Sequence, residues 1–104
     1  MKITSTMKGT QMNVYFAGEL DHHAAGSANR KVEELIEAYF PRDCVIDMSG
    51  MTFMDSSGIA VILKAYRQMN AMGGRLWIEN VPPQPMRVLD ASGIERLIKI
   101  NALT

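Results

Sequence analysis

The apolar residues of this chain change their spacing again and again, and that alternation limits the available folds more than any other feature of the sequence. Ile3 and Met7, on either side of Ser5, and then Met12, Val14 and Phe16 keep to every second position, the period of a strand with one buried face. Lys8-Gly9-Thr10 between them reads as a hairpin turn, and Gly18-Glu19-Leu20-Asp21 breaks the pattern. From Ala25 the spacing turns helical: Ala28, Val32, Leu35, Ile36 and Tyr39 share one side, with Lys31, Glu34 and Glu37 mostly opposite. Asp21 suits the N-cap of that helix and Pro41 its stop. Cys44-Val45-Ile46 is a continuous apolar run, as in a strand covered on both faces, followed by an expected loop through Ser49-Gly50-Met51. A second helix is expected from Asp55 or Ser56 to Met72, burying Ile59, Ile62, Leu63, Tyr66 and Met69 and ending at Gly73-Gly74. Leu76-Trp77-Ile78 reads as a strand. Pro82, Pro83 and Pro85 fit only a loop or a first helical turn. Met86 and Leu89 belong to a short helix closed by Ala91-Ser92-Gly93, and Leu97 to Ile100 form the last strand.

Strands alternating with helices call for an α/β fold. The expectation is one domain over residues 1–104, starting with a β-hairpin, its mixed, mainly parallel sheet of about five strands carrying helices packed on it. At 104 residues and 47% apolar, the chain has enough material for one core and too little for two. Its 11 basic and 11 acidic side chains cancel, which argues against a nucleic-acid surface or a polybasic membrane anchor. Apolar runs such as Ile59 to Leu63 are too short to span a bilayer, and Met1-Lys2-Ile3-Thr4 does not open a signal peptide. Cys44 is the only cysteine, so no intrachain disulfide can form. A soluble cytoplasmic domain, monomeric when free and without a cofactor, is the simplest expectation.

Three Asp-x-Ser-Gly tetrads stand out: Asp47-Met48-Ser49-Gly50, Asp55-Ser56-Ser57-Gly58 and Asp90-Ala91-Ser92-Gly93. Only the second opens a helix, after the apolar stretch Met51-Thr52-Phe53-Met54. A helix start offers free amides and a partial positive charge, so a phosphate on Ser56 would be tolerated there. The same position equally suits Asp55, Ser56 and Ser57 as simple N-caps. A nucleophilic serine fits less well, because the Gly-x-Ser-x-Gly elbow is absent: Met54 precedes Ser56 by two residues and Asp55 precedes Ser57 by two. His22 and His23 are the only histidines. Adjacent on a helix and with no third ligand at suitable spacing, they make no metal site. Gly73-Gly74 lacks the Lys-Ser/Thr of a phosphate loop. Most of the nine methionines fall at core spacing, with Met51 and Met54 expected in the exposed loop.

The stretch Val45-Ile46-Asp47-Met48-Ser49-Gly50-Met51-Thr52-Phe53-Met54-Asp55-Ser56-Ser57-Gly58 resembles the signature of bacterial anti-sigma factor antagonists, which are STAS domains. Gly18-Glu19-Leu20-Asp21-His22-His23 resembles that family's entry to the first helix, and Asp90-Ala91-Ser92-Gly93-Ile94 its approach to the final strand. Nearly the whole chain is covered, most closely by the sporulation-type antagonists of the anti-sigma F factor. The resemblance implies a regulatory ligand and not an enzyme. The unphosphorylated form would bind an anti-sigma factor that is also a serine kinase and release the sigma factor. Phosphorylation at Ser56 would switch binding off, and a serine phosphatase would restore it. Asp55, Ser57 and Gly58 would form the switch loop. Asp21, His22, His23, Met51 and Met54 would contribute to partner binding, with Gly58 allowing close approach. Relatives carry a further helix after the last strand, where this chain has Asn101-Ala102-Leu103-Thr104. Two other readings compete: a STAS scaffold subunit of a stress-signalling or transport assembly that does not switch, and a small hydrolase or phosphotransferase using Asp55 or Ser56.

Overall fold

In the computed structural model, which describes Met1–Thr104, β1 (Lys2–Lys8) and β2 (Gln11–Leu20) form the antiparallel hairpin, with Lys8 opposite Gln11. Gly9 takes φ +62° in the two-residue turn, a value that costs glycine little and other residues more. The chain then alternates: α1 (His22–Tyr39), β3 (Asp43–Met54), α2 (Ser57–Ala71), β4 (Arg75–Val81), α3 (Pro83–Ser92), a 3₁₀ turn at Ile94–Arg96, and β5 (Ile100–Ala102). The five strands lie in sequence order, β1-β2-β3-β4-β5, and every pair after the hairpin is parallel. This is the expected mixed α/β sheet.

The core sits on one face of that sheet. Met12, Val14 and Phe16 of β2, Cys44 and Ile46 of β3, and Leu76 and Ile78 of β4 meet Ala28, Val32 and Ile36 of α1 and Val61, Ile62, Ala65 and Met69 of α2 in one buried cluster. Each large side chain buried there contributes roughly 1.5–3 kcal/mol. The other face is polar: Arg75 holds Asp43 in a two-pronged pair, and the Trp77 indole donates to Glu79. Val45 is buried on that side, yet outside the main cluster. It sits in register between Asn13 and Trp77.

β3 is far longer than expected. The loop expected through Ser49-Gly50-Met51 is instead strand, with an apolar spacing of three, not two: Met48, Met51 and Met54 are buried while Ser49, Gly50, Thr52 and Phe53 are exposed. Two bulges account for this. From Tyr15↔Asp47 to Ala17↔Gly50, β2 advances two residues and β3 three; from Gly18↔Met51 to Glu19↔Phe53, one and two. Each extra residue delays the return of the side chain to the covered face. β2 likewise runs on through Leu20. In α2 the fully buried positions are Gly58, Val61, Ile62, Ala65 and Met69, with Ile59, Leu63 and Tyr66 only half-buried. The last strand begins at Ile100, after the 3₁₀ turn leaves Leu97 59% exposed. Leu103 and Thr104, after β5, are not helical, and no helix is long and apolar enough to cross a membrane.

Candidate functional site

The carboxyl ends of β2 and β3 lie side by side, with Leu20 paired to Met54, so α1 and α2 begin next to one another. Asp21 starts α1 by accepting the Ala24 N–H on Oδ1 at 3.0 Å. Asp55 joins the two helix starts. Its Oδ1 accepts the Ser57 N–H at 2.8 Å, its Oδ2 accepts the His22 N–H at 3.1 Å, and its own N–H donates to the Leu20 carbonyl at 3.2 Å. One carboxylate thus satisfies amides of both helices, which otherwise lack partners.

Ser56 is consequently freed from capping. It is exposed, already in helical conformation (φ −64°, ψ −18°), and its side chain makes no capping hydrogen bond. Of the cap candidates in the tetrad, Asp55 does the work. Ser57 is half-buried, and its N–H is held by Asp55. His22 and His23 are exposed beside this loop, their rings edge to face with centroids 5.8 Å apart. No group of three or more His, Cys, Asp or Glu side chains is arranged to hold a metal.

Three of the expected site residues lie inside the protein instead. Met51 and Met54 retain 4% and 0% exposure because the bulges of β3 turn them onto the covered face; they are core residues and present no surface to a partner. Gly58 is also buried, and a Cβ there would lie 2.6 Å from Met54 and 3.1 Å from Leu20. Its missing side chain makes room for the core beneath the loop, not for an approaching partner.

Gln84, a residue without any mark in the sequence beyond being polar among prolines, fixes α3 to this site. Its side-chain amide accepts the Met54 N–H at 2.8 Å and donates to the Met54 carbonyl at 2.9 Å. The amide takes the place of a neighbouring strand at the end of β3. It also sets α3 as one wall of an open groove of about 540 Å³, which Ser56 and Arg87 both line.

Elsewhere, burial pushes the Cys44 thiol up to about 12, so it remains protonated and unreactive at neutral pH. Burial also acts to raise Asp47, but the hydrogen bonds from Ser49 and Asn80 outweigh it and hold the carboxyl below its usual value.

The sequence profile of the STAS domain matches residues 3–102. The chain belongs to the STAS-domain family. An anti-sigma F factor antagonist of Paenibacillus polymyxa is 35% identical over 96 residues, covering 88% of this chain and 82% of that relative. The anti-sigma factor antagonist SpoIIAA, solved in its unphosphorylated form, superposes with a TM-score of 0.80 at 26% identity, over 95% of this chain and 87% of that one. The Bacillus cell fate determinant SpoIIAA in the phosphorylated form gives 0.71 at 26% identity, over 95% and 90%. In this STAS domain, then, Asp21, His22, His23, Asp55, Ser56 and Ser57, which the sequence suggested separately, converge where α1 and α2 begin.

Proposed function

We propose that this chain is an anti-sigma factor antagonist switched by phosphorylation of Ser56. The observation that carries the reading is the state of that serine: exposed, at the start of α2, with its side chain unused in capping while Asp55 caps in its place. A protein kinase needs such a hydroxyl, and phosphorylating it costs the fold no bond. In the transfer, Ser56 Oγ bonds to the γ-phosphorus of ATP, ADP leaves, and the hydroxyl proton passes to a base on the kinase. The relatives named as anti-sigma factor antagonists, and SpoIIAA known with and without phosphate, support this reading.

The unphosphorylated surface would be formed by Asp21, His22, His23 and the Asp55–Ser57 loop and would bind an anti-sigma factor with serine kinase activity. Phosphate adds about 1.5–2 negative charges at neutral pH, next to the carboxylate of Asp55. The helix amides make that charge tolerable in the free protein. Against a partner surface shaped for a neutral serine it is not, and a loss of about 2.7 kcal/mol is already a 100-fold weakening. A serine phosphatase would reset the switch. The protein would act in the cytoplasm as ligand and substrate, without catalysis of its own.

Intact mass after incubation with ATP and an anti-sigma kinase provides the test. Wild type should gain one phosphate and Ser56→Ala none, while the variant still binds the kinase. No addition with several active kinases of this class would leave a STAS domain that does not switch, and phosphate appearing on Ser56→Ala would place the site elsewhere.

A further inference from the structure

The groove beside Ser56 also holds a cation, Arg87. Ile59 of α2 and Val88 and Ala91 of α3 line the groove with apolar surface, and Arg87 is the one charged side chain lining it. Arg87 is exposed and takes part in neither of the ion pairs in the protein, Lys64–Glu33 and Arg75–Asp43. The other polar groups of the groove are already engaged. The Gln84 amide is spent on both backbone groups of Met54, and the Ser92 hydroxyl donates to the Leu89 carbonyl at 2.6 Å and accepts the Ile94 N–H at 3.2 Å.

We propose that Arg87 receives the phosphate of phosphorylated Ser56 across the groove between α2 and α3. This rests on the reading of Ser56 as phosphoacceptor and adds what the phosphate does within the chain. The positions of both groups are set by one anchor. Gln84 clamps Met54; Ser56 follows Met54 by two residues, and Arg87 follows Gln84 by three, the spacing that keeps two residues on neighbouring parts of one helix face. A guanidinium offers a planar fork of donors matched to phosphate oxygens. The pair would close over a groove that Ile59, Val88 and Ala91 also line. Phosphorylation would then alter the shape of the surface as well as its charge, withdrawing an apolar groove from any partner that uses it.

Phosphoserine placed at position 56 during protein synthesis supplies the modified protein without any kinase. Phosphorus NMR then follows the second ionisation of the phosphate, which for free phosphoserine lies near 6. Asp55, adjacent in the chain, acts to raise it; the α2 amides and Arg87 act to lower it. With Arg87 present the midpoint should lie about half a pH unit or more below that of Arg87→Ala, and Arg87→Lys should keep part of the difference. Arg67→Ala removes the same charge eleven residues further along α2, about 16 Å from Ser56 by helix rise, and should leave the midpoint unmoved. Equal midpoints with and without Arg87, or an equal response to Arg67→Ala, would overturn the proposal. Failure of every kinase to modify Ser56 would instead count against the functional reading and leave this titration interpretable.

Discussion

Two stretches of β3 and its exit carry the same four-residue pattern and put it to different use. In Asp47-Met48-Ser49-Gly50 and in Asp55-Ser56-Ser57-Gly58 the aspartate accepts the N–H of the serine two residues on, at 2.9 Å and 2.8 Å. The second carboxylate oxygen separates them. That of Asp47 accepts from the Asn80 side chain at 2.8 Å and ties strand to strand; that of Asp55 accepts the His22 N–H and ties helix to helix. The residue between aspartate and serine differs accordingly: Met48 is wholly buried and Ser56 is exposed. In both of these copies the pattern makes a small local turn, whereas Asp90-Ala91-Ser92-Gly93 continues and closes α3. The place of the pattern in the fold decides whether the turn reinforces a sheet or presents a hydroxyl.

The glycines that close the two patterns provide the largest test of this contrast. A Cβ at Gly58 would meet buried Met54 at 2.6 Å, whereas one at Gly50 would meet the Ala17 Cβ at 3.0 Å on an exposed part of the sheet. Gly58→Ala should therefore destabilise by about 1–3 kcal/mol in urea unfolding, the usual cost of overpacking, and Gly50→Ala by less. The reverse order would mean that the core beneath the Ser56 loop is looser than its packing indicates.

Next in size is the loss of the linking carboxylate. Asp55→Ala leaves the His22 and Ser57 amides without their acceptor and should cost about 1–2 kcal/mol, at the upper end of single helix caps. Amide hydrogen exchange should quicken at both residues together, on two different helices. Asp47→Ala should instead quicken exchange at Ser49 and leave the helix starts unchanged. Faster exchange at only one of His22 and Ser57 would show that Asp55 does not couple the helices.

A smaller, pH-dependent difference belongs to Asp47. Its carboxyl is held below the unfolded value of about 3.9, with burial opposing and the hydrogen bonds from Ser49 and Asn80 prevailing. Its contribution to stability is thus fully present above about pH 3.9 and lost as pH falls through the lower, folded value. Asp47→Asn should be less stable than wild type at neutral pH, with the gap closing below about pH 4. A gap that stays constant as the solution is acidified would remove the ionised carboxylate from the account.

How far the sequence disclosed these features depended on whether local spacing survived in the fold. The element order and the Asp21 cap were legible because both depend on near neighbours along the chain. The end of β3 was not, since two bulges convert a period of two into a period of three, and Met51 and Met54 were consequently expected in an exposed loop. The three tetrads were visible, but the helix-to-helix bond of Asp55 spans 33 residues and the Gln84 clamp 30. Contacts of that range leave no period to read. Ser56 itself was marked by position and by the resemblance, while its freedom from capping emerges only once Asp55 is seen to take that role.

That freedom gives the smallest expected effect and the sharpest one. If Asp55 caps α2, the Ser56 hydroxyl contributes nothing that alanine lacks, and alanine is the better helix former. Ser56→Ala should therefore leave stability within about 0.5 kcal/mol of wild type, as for exposed positions away from structural features. Ser56→Asp should also fold, since a carboxylate in the first turn is favoured by the helix dipole, while binding the kinase weakly. A serine that can be removed without thermodynamic cost, yet whose charge state alters partner affinity, has no structural reason to occupy its position. Loss of a kilocalorie or more in Ser56→Ala would restore a structural reason, and the two Asp-x-Ser-Gly stretches would then differ only in address.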